Sequence, residues 1–125
     1  MKQLTKAEEQ IMQLLWQKGE GIVQDIRDAF PEPRPARNTI STIIRILETK
    51  GFIDHKAYGR TFVYFPAVSK KEYSKKQISS ILSGYFNNSF AGMASFFAKE
   101  NNLTIKEIDE IMEAIKKELD ETSQN

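Results

Sequence analysis

The sequence has no cysteine, a single histidine (His55), a single tryptophan (Trp16) and no long apolar run. Without cysteine there is no disulfide, no thiolate metal site and no cysteine nucleophile. One histidine leaves a His-rich metal centre without its ligands and a Ser-His-Asp triad with His55 as its one candidate base, so either would need unusual help and no catalytic residue and no metal ligand is assigned. The serines lack a paired base, and Glu107, Glu110, Glu113 and Glu118 read as a solvated acidic helix face, not an acid/base pair. No segment approaches the roughly 20 apolar residues that span a bilayer. Met1 to Thr5 run straight into a charged amphipathic pattern without a signal-peptide apolar core. The expectation is a cytoplasmic protein with no membrane insertion and no cofactor.

What is present suits one globular domain, or one small domain with an appendage: 125 residues, 40% hydrophobic and 28% charged. Thr5-Lys6-Ala7-Glu8 is a capping-box pattern, and Ala7, Ile11, Leu14, Leu15 and Lys18 follow at helical spacing up to Gly19. A second short helix is predicted over Ile22 to Phe30, ended by Pro31-Glu32-Pro33-Arg34-Pro35. Ala36 to Lys50 reads as a third helix closed by Gly51. Two β-rich runs come next, Phe52 to Lys56 and Thr61 to Phe65. Tyr58-Gly59-Arg60 lies between them and Pro66 behind them. The rest is predicted to be helical. Ser69-Lys70-Lys71-Glu72 and Thr104-Ile105-Lys106-Glu107 are two further capping boxes, Asn87-Asn88-Ser89 is a break, and fraying is expected from Thr122 to Asn125.

The formal charge is only +1, yet it is unevenly placed. From Arg34 to Arg60 six basic residues (Arg34, Arg37, Arg45, Lys50, Lys56, Arg60) face two acidic ones, a net +4. Lys70, Lys71, Lys75 and Lys76 against Glu72 give +3, and from Glu100 onward eight acids against three lysines give −5. A basic middle is the electrostatic footprint of a nucleic-acid contact, although basic runs also occur as plain solvated faces.

On the third helix, Ile40, Ile43, Ile44 and Leu47 share one side, while Asn38, Thr42, Arg45 and Thr49 lie opposite, with Ser41 beside them. The outer stripe lacks the Glu/Lys mixture of an ordinary solvated helix. Asn bonds adenine bidentately, Arg suits guanine and a Thr methyl touches thymine. A hairpin directly after three helices places a short wing beside this helix, with Lys56, Tyr58 and Arg60 suited to phosphate or minor-groove contact. His55 reads as a surface or phosphate contact rather than a metal ligand, and Trp16 as interior packing.

Several separated motifs at matching intervals carry a family resemblance. They are Thr39 to Ile53 (TISTIIRILETKGFI), Tyr58-Gly59-Arg60, Val63-Tyr64-Phe65-Pro66, Leu15-Trp16 and Val68 to Tyr73. Over roughly residues 4 to 120 the chain resembles the BlaI/MecI/CopY penicillinase-repressor family. The resemblance implies a bacterial winged helix-turn-helix repressor, mainly α with a small β-hairpin wing, that binds an inverted-repeat operator in double-stranded DNA as a homodimer. By position, Arg37, Asn38, Ser41, Thr42 and Arg45 match the family's reading helix, and Lys56, Tyr58 and Arg60 fall in its wing. Some members are derepressed when a membrane-bound sensor metalloprotease cuts an Asn-Phe bond shortly before the last helix. Here the aligned stretch, Ser95-Phe96-Phe97, has no Asn before Phe. The copper-responsive branch uses a Cys-rich tail, which this chain lacks.

The expected organisation is a DNA-binding domain over residues 1–68 and a helical dimerisation region over 69–125. Ile78, Ile81, Leu82, Phe90, Phe97, Ile108, Ile111, Met112, Ile115 and Leu119 carry more apolar surface than water accommodates well. Either a second chain covers them or they fold back on the winged helix, and the former is expected. The alternative function is a winged-helix module whose third helix binds protein rather than DNA.

Overall fold

A computed structural model describes residues 3–123. Helix α1 (Lys6–Lys18) starts as a reciprocal capping box: the Glu8 amide donates to Thr5 Oγ1 at 3.2 Å and the Thr5 amide donates to Glu8 Oε1 at 2.8 Å. Two of the four orphan amides of the first turn are thereby satisfied. Helix α2 (Val23–Ala29) is shorter than the sequence predicted, because Ile22 and Phe30 lie in extended backbone as its caps. The Asp25 carboxylate accepts from the Ile22 amide at 3.2 Å. In the proline-rich connection, Arg27 Nε donates to the Pro35 carbonyl at 2.9 Å and Arg34 Nε to the Phe30 carbonyl at 3.0 Å. With three prolines unable to donate, arginine side chains supply the bonds that pin this segment.

Helix α3 (Arg37–Thr49) closes in a Schellman motif. The Phe52 amide reaches the Leu47 carbonyl (2.9 Å) and the Gly51 amide the Glu48 carbonyl (3.0 Å), with Gly51 at φ +86°. That closure takes up the Phe52 backbone, so strand β1 (Ile53–Tyr58) begins one residue later than predicted and runs further. It pairs antiparallel with β2 (Thr61–Pro66), Ile53 opposite Pro66 and Tyr58 opposite Thr61. Only Gly59 and Arg60 form the turn. Gly59 has φ +63° and Arg60 does not, the pattern of a type II′ turn with glycine at its first central position. Gly21 and Tyr64 exchange two backbone hydrogen bonds (2.9 and 2.8 Å), which anchor the base of the hairpin to the segment before α2.

The core contains Ile11, Met12 and Leu15 of α1, Ile26 of α2, Ile40, Ile44 and Leu47 of α3, and Phe52, Ile53, Tyr64 and Tyr73. Trp16 is half-buried. Its Nε1 donates to the Val68 carbonyl at 2.9 Å and its ring lies 5.7 Å from that of Tyr73, on helix α4 (Lys70–Tyr85).

One ion pair crosses this core edge. Lys50 Nζ lies 2.7 and 2.9 Å from the two carboxylate oxygens of Glu8, which is 4% exposed. Burial by itself would raise the Glu8 carboxyl. The Lys50 ammonium and the Thr5 amide overcome that and hold it below the ordinary carboxylate range. A folded value below the unfolded one stabilises the protein above the unfolded pKa, and the benefit disappears as pH falls through the folded value. Lys50→Met leaves a buried carboxylate unpaired and is expected to cost about 3 kcal/mol at neutral pH. The lone carboxyl then titrates higher, so acidification neutralises it. Urea melts of both proteins between about pH 7 and pH 4 should therefore show the deficit of the variant narrowing as pH falls.

The chain divides into two compact units, Met1–Gln77 and Ile78–Asn125. The second holds the end of α4, α5 (Phe90–Glu100) and α6 (Ile105–Ser123). Asn87 and Asn88, both at positive φ, make the break before α5, and Ser89 Oγ caps that helix by accepting from the Gly92 amide at 2.9 Å. Thr104 and Glu107 cap α6 reciprocally (3.1 and 3.2 Å). The last helix continues through Ser123, past the start of the expected fraying. Met1, Lys2, Gln124 and Asn125 lie outside the described residues. No side chain described over residues 78–122 is buried.

Candidate nucleic-acid interface

Burial of Ile40, Ile44 and Leu47 fixes the rotation of α3 and leaves its opposite stripe outward. Asn38, Thr42 and Arg45 are exposed there, Ser41 is half-buried beside them, and Arg37 is exposed as the first residue of the helix, off that stripe. Among the described residues, the side chains of Arg37, Asn38 and Arg45 make no hydrogen bond or ion pair, so their donors are open to a ligand. The two threonines differ. Thr42 Oγ1 donates to the Asn38 carbonyl at 2.9 Å and Thr49 Oγ1 to the Arg45 carbonyl at 3.0 Å. With the hydroxyl proton engaged, Thr42 presents a methyl group and an acceptor lone pair. Those suit a thymine methyl or a base amino group rather than a base acceptor.

The hairpin carries Tyr58 and Arg60 at its tip, both exposed and without a hydrogen-bonded partner among the described residues. Lys56, on the same strand face as Tyr58, has its ammonium 5.5 Å from the centre of the Phe65 ring. The structure thus places Asn38, Ser41, Thr42 and Arg45 on one outward helix face or its edge, Arg37 at the start of the same helix, and Lys56, Tyr58 and Arg60 on the wing.

Two basic residues of the +4 window are engaged elsewhere. Lys50 is held by Glu8. Arg34 is bound to Glu32 at 2.6 Å and to the Phe30 and Asp28 carbonyls at 3.0 and 3.3 Å. Among the described residues, the cations of that window without an ion pair or hydrogen bond are Arg37, Arg45, Lys56 and Arg60, all on α3 or the wing.

His55 differs from the expectation of a surface or phosphate contact. Its Nδ1 lies 2.6 Å from Glu48 Oε2, and its ring stacks on Phe62 with centroids 4.4 Å apart and meets Tyr64 at 5.8 Å. Glu48, Asp54 and His55 bring three ligand-capable atoms within 4.8 Å of one another. Asp54 Oδ1 accepts from the His55 amide at 2.8 Å and Nδ1 faces Glu48, so these groups satisfy one another. Burial, and then the Glu48 charge, push the Tyr64 phenol up, with the Arg45 cation opposing them. Sequence reasoning also passed over Ile46. It is 43% exposed at the edge of the outer stripe, and its position on the helical wheel beside Thr42 was the available signal.

In the second unit, the predicted apolar residues Ile78, Ile81, Phe90, Phe97, Ile108, Ile111, Met112, Ile115 and Leu119 are exposed, Phe97 at 61% and Leu119 at 64%, and Leu82 is half-buried. Ser95, Phe96 and Phe97 lie in the interior of α5 in helical backbone. The non-helical link before the last helix is Asn101 to Thr104.

Three helices around one core, the third with a polar outward face, followed by a two-stranded hairpin, define a winged helix-turn-helix, an architecture of DNA-binding transcriptional regulators. Comparison with known proteins specifies the family. The penicillinase repressor family model matches residues 4–117, and the chain belongs to that family of transcriptional repressors. It is 25% identical over 114 residues to the penicillinase repressor of Bacillus licheniformis, covering 90% of this chain and 89% of the relative. It is also 25% identical over 116 residues to the methicillin resistance regulatory protein MecI of Mammaliicoccus sciuri, covering 92% and 94%. Among solved structures, reduced MarR from E. coli aligns with a TM-score of 0.48 at 14% identity, over 93% of this chain and 78% of that one. A possible transcriptional regulator for arsenical resistance aligns with a TM-score of 0.48 at 22% identity, over 62% and 77%.

Proposed function

We propose that the chain is a homodimeric repressor that binds an inverted-repeat operator in double-stranded DNA. In this reading α3 enters the major groove with Arg37, Asn38, Ser41, Thr42 and Arg45, and Lys56, Tyr58 and Arg60 of the wing meet the flanking backbone. The observation that carries it is the α3 stripe on which the side-chain donors of Asn38 and Arg45 have no partner among the described residues, bordered by the open cations of the wing. Evenly solvated helix faces mix Glu with Lys. This one offers Asn, Thr and Arg, the side chains with base-edge geometry.

The second unit supplies the dimer. Ile105, Ile108, Met112, Ile115 and Leu119 recur at alternating three- and four-residue steps along α6, the spacing of a coiled-coil seam, and no described side chain around them is buried. A two-fold dimer matches a palindromic site by symmetry. The protein would act in the cytoplasm, where its DNA is, and a membrane-bound sensor metalloprotease that cuts the second unit is the partner that would release it. Selection from random duplexes tests the reading. The chain should enrich an inverted repeat whose half-sites lie about 10 base pairs, or a multiple of that, apart. Enrichment of no sequence above the random pool would leave the protein-binding module as the function. Intact-mass measurement after co-expression with a sensor protease should show a fragment ending in the second unit.

A further inference from the structure

Below its tip, the hairpin has few ties to the helical body. Its base is fixed by buried Ile53 and by the two backbone bonds between Tyr64 and Gly21. From the rung that carries Tyr64, on the opposite strand, one side-chain hydrogen bond among the described residues leaves the hairpin, the 2.6 Å contact from His55 to Glu48, and no such bond leaves it nearer the tip. Glu48 lies in the last turn of α3, and His55 pairs across the sheet with Tyr64. Strand alternation puts His55, Phe62 and Tyr64 on the face toward α3, and Lys56 and Tyr58 on the other. The Phe62 ring stacked on His55 fixes the imidazole plane, and the Asp54 carboxylate bonds the His55 amide from the same strand.

We infer that Glu48 and His55 form a strut between the reading helix and the wing, and that this strut sets the angle at which Lys56, Tyr58 and Arg60 reach the DNA backbone. They are positioning residues. The inference rests on the DNA-binding reading above and adds to it a fixed distance between groove and backbone contacts. A hairpin free to swing keeps its charges but loses their register with the phosphates, and such contacts position a protein on the duplex.

The test turns on sign. Glu48 is a carboxylate on a surface that faces phosphates, so on charge alone Glu48→Ala should tighten binding. The strut requires the opposite. Using the full-length chain and the duplex it enriches from random sequence, Glu48→Ala and His55→Ala are each expected to weaken binding about tenfold at physiological salt. Each should also flatten the dependence of log affinity on log salt as far as the Lys56→Ala/Arg60→Ala variant does, although no Lys or Arg has been removed. Each lost phosphate contact lowers that slope by about 0.9. Glu48→Gln, which keeps an acceptor for the imidazole, should restore affinity and slope. Glu48→Ala binding as tightly as the parent, or weakly with an unchanged slope, overturns the strut. So does failure of Glu48→Gln to rescue. If Asn38→Ala combined with Arg45→Ala lowers affinity to the level of unrelated DNA in those cases, the DNA reading survives alone. If the parent enriches no duplex, both fall.

Discussion

Asn38→Ala combined with Arg45→Ala is expected to lower operator affinity by about a thousandfold, to the level of binding to unrelated DNA. Each bidentate base contact contributes about 1–3 kcal/mol of discrimination, and a dimer makes each contact twice. The fold should not change. Both side chains are exposed and unbonded among the described residues, and alanine is a better helix former than asparagine. Titrations at two salt concentrations against operator and scrambled duplex, with circular dichroism as the control for folding, measure the effect. The informative comparison is with Arg60→Ala. A phosphate contact should weaken operator and scrambled duplex alike and flatten the salt slope, whereas Asn38→Ala should erase only the preference for operator. Unchanged affinity of the double variant at low salt would remove α3 as a DNA reader and favour a protein partner on the same face.

The parts of this surface that the sequence made legible are those set by periodicity and local bonding. The stripe of Asn38, Thr42 and Arg45 follows from the burial of Ile40, Ile44 and Leu47 opposite. The Thr5 and Thr104 capping boxes form in both directions between residues three apart, whereas at Ser69 the hydroxyl accepts from the Glu72 amide and donates to the Glu72 carboxylate. The hairpin was visible from Gly59 and its β-branched and aromatic flanks, although the strands run up to the two-residue turn. What periodicity does not encode is long-range pairing. Lys50 finds Glu8 across 42 positions, and His55 finds Glu48 across the Schellman turn. The net charge of +4 was therefore a poor measure of the surface, because Lys50 and Arg34 serve structure. The unbonded set of Arg37, Arg45, Lys56 and Arg60 emerges only when the ion pairs are known. The aligned cleavage stretch differs for a similar reason. Composition shows aromatics at Phe96 and Phe97, but only the fold shows that they occupy helical backbone, while the non-helical link lies at Asn101 to Thr104.

Ile108→Glu with Ile115→Glu should convert the dimer to monomer and reduce operator affinity by about 10²–10⁴-fold without unfolding the winged helix. The two isoleucines are seven residues apart and lie on one side of α6, at successive equivalent positions of the seam. Their replacement buries four carboxylates in any two-chain interface built on that side, beside the acids already present at Glu107, Glu110 and Glu113. In the single chain both positions are exposed, so the same substitutions remove little packing from the protomer itself. The core of the first unit, from Ile11 to Tyr73, contains no residue of α6. Sedimentation velocity should then show a monomer whose thermal transition for the winged helix is retained. The loss in affinity follows from effective concentration. In the dimer the second half-site is met by a chain already held at millimolar local concentration, whereas a monomer must find it from solution. A variant that stays dimeric would move the interface away from this side of α6. A monomer with undiminished affinity would mean that one chain reads the operator alone. Because dimerisation and operator binding are linked equilibria, an event that weakens the α6 contact lowers occupancy without touching a base-reading side chain. That is how a cut in the second unit would reach the operator.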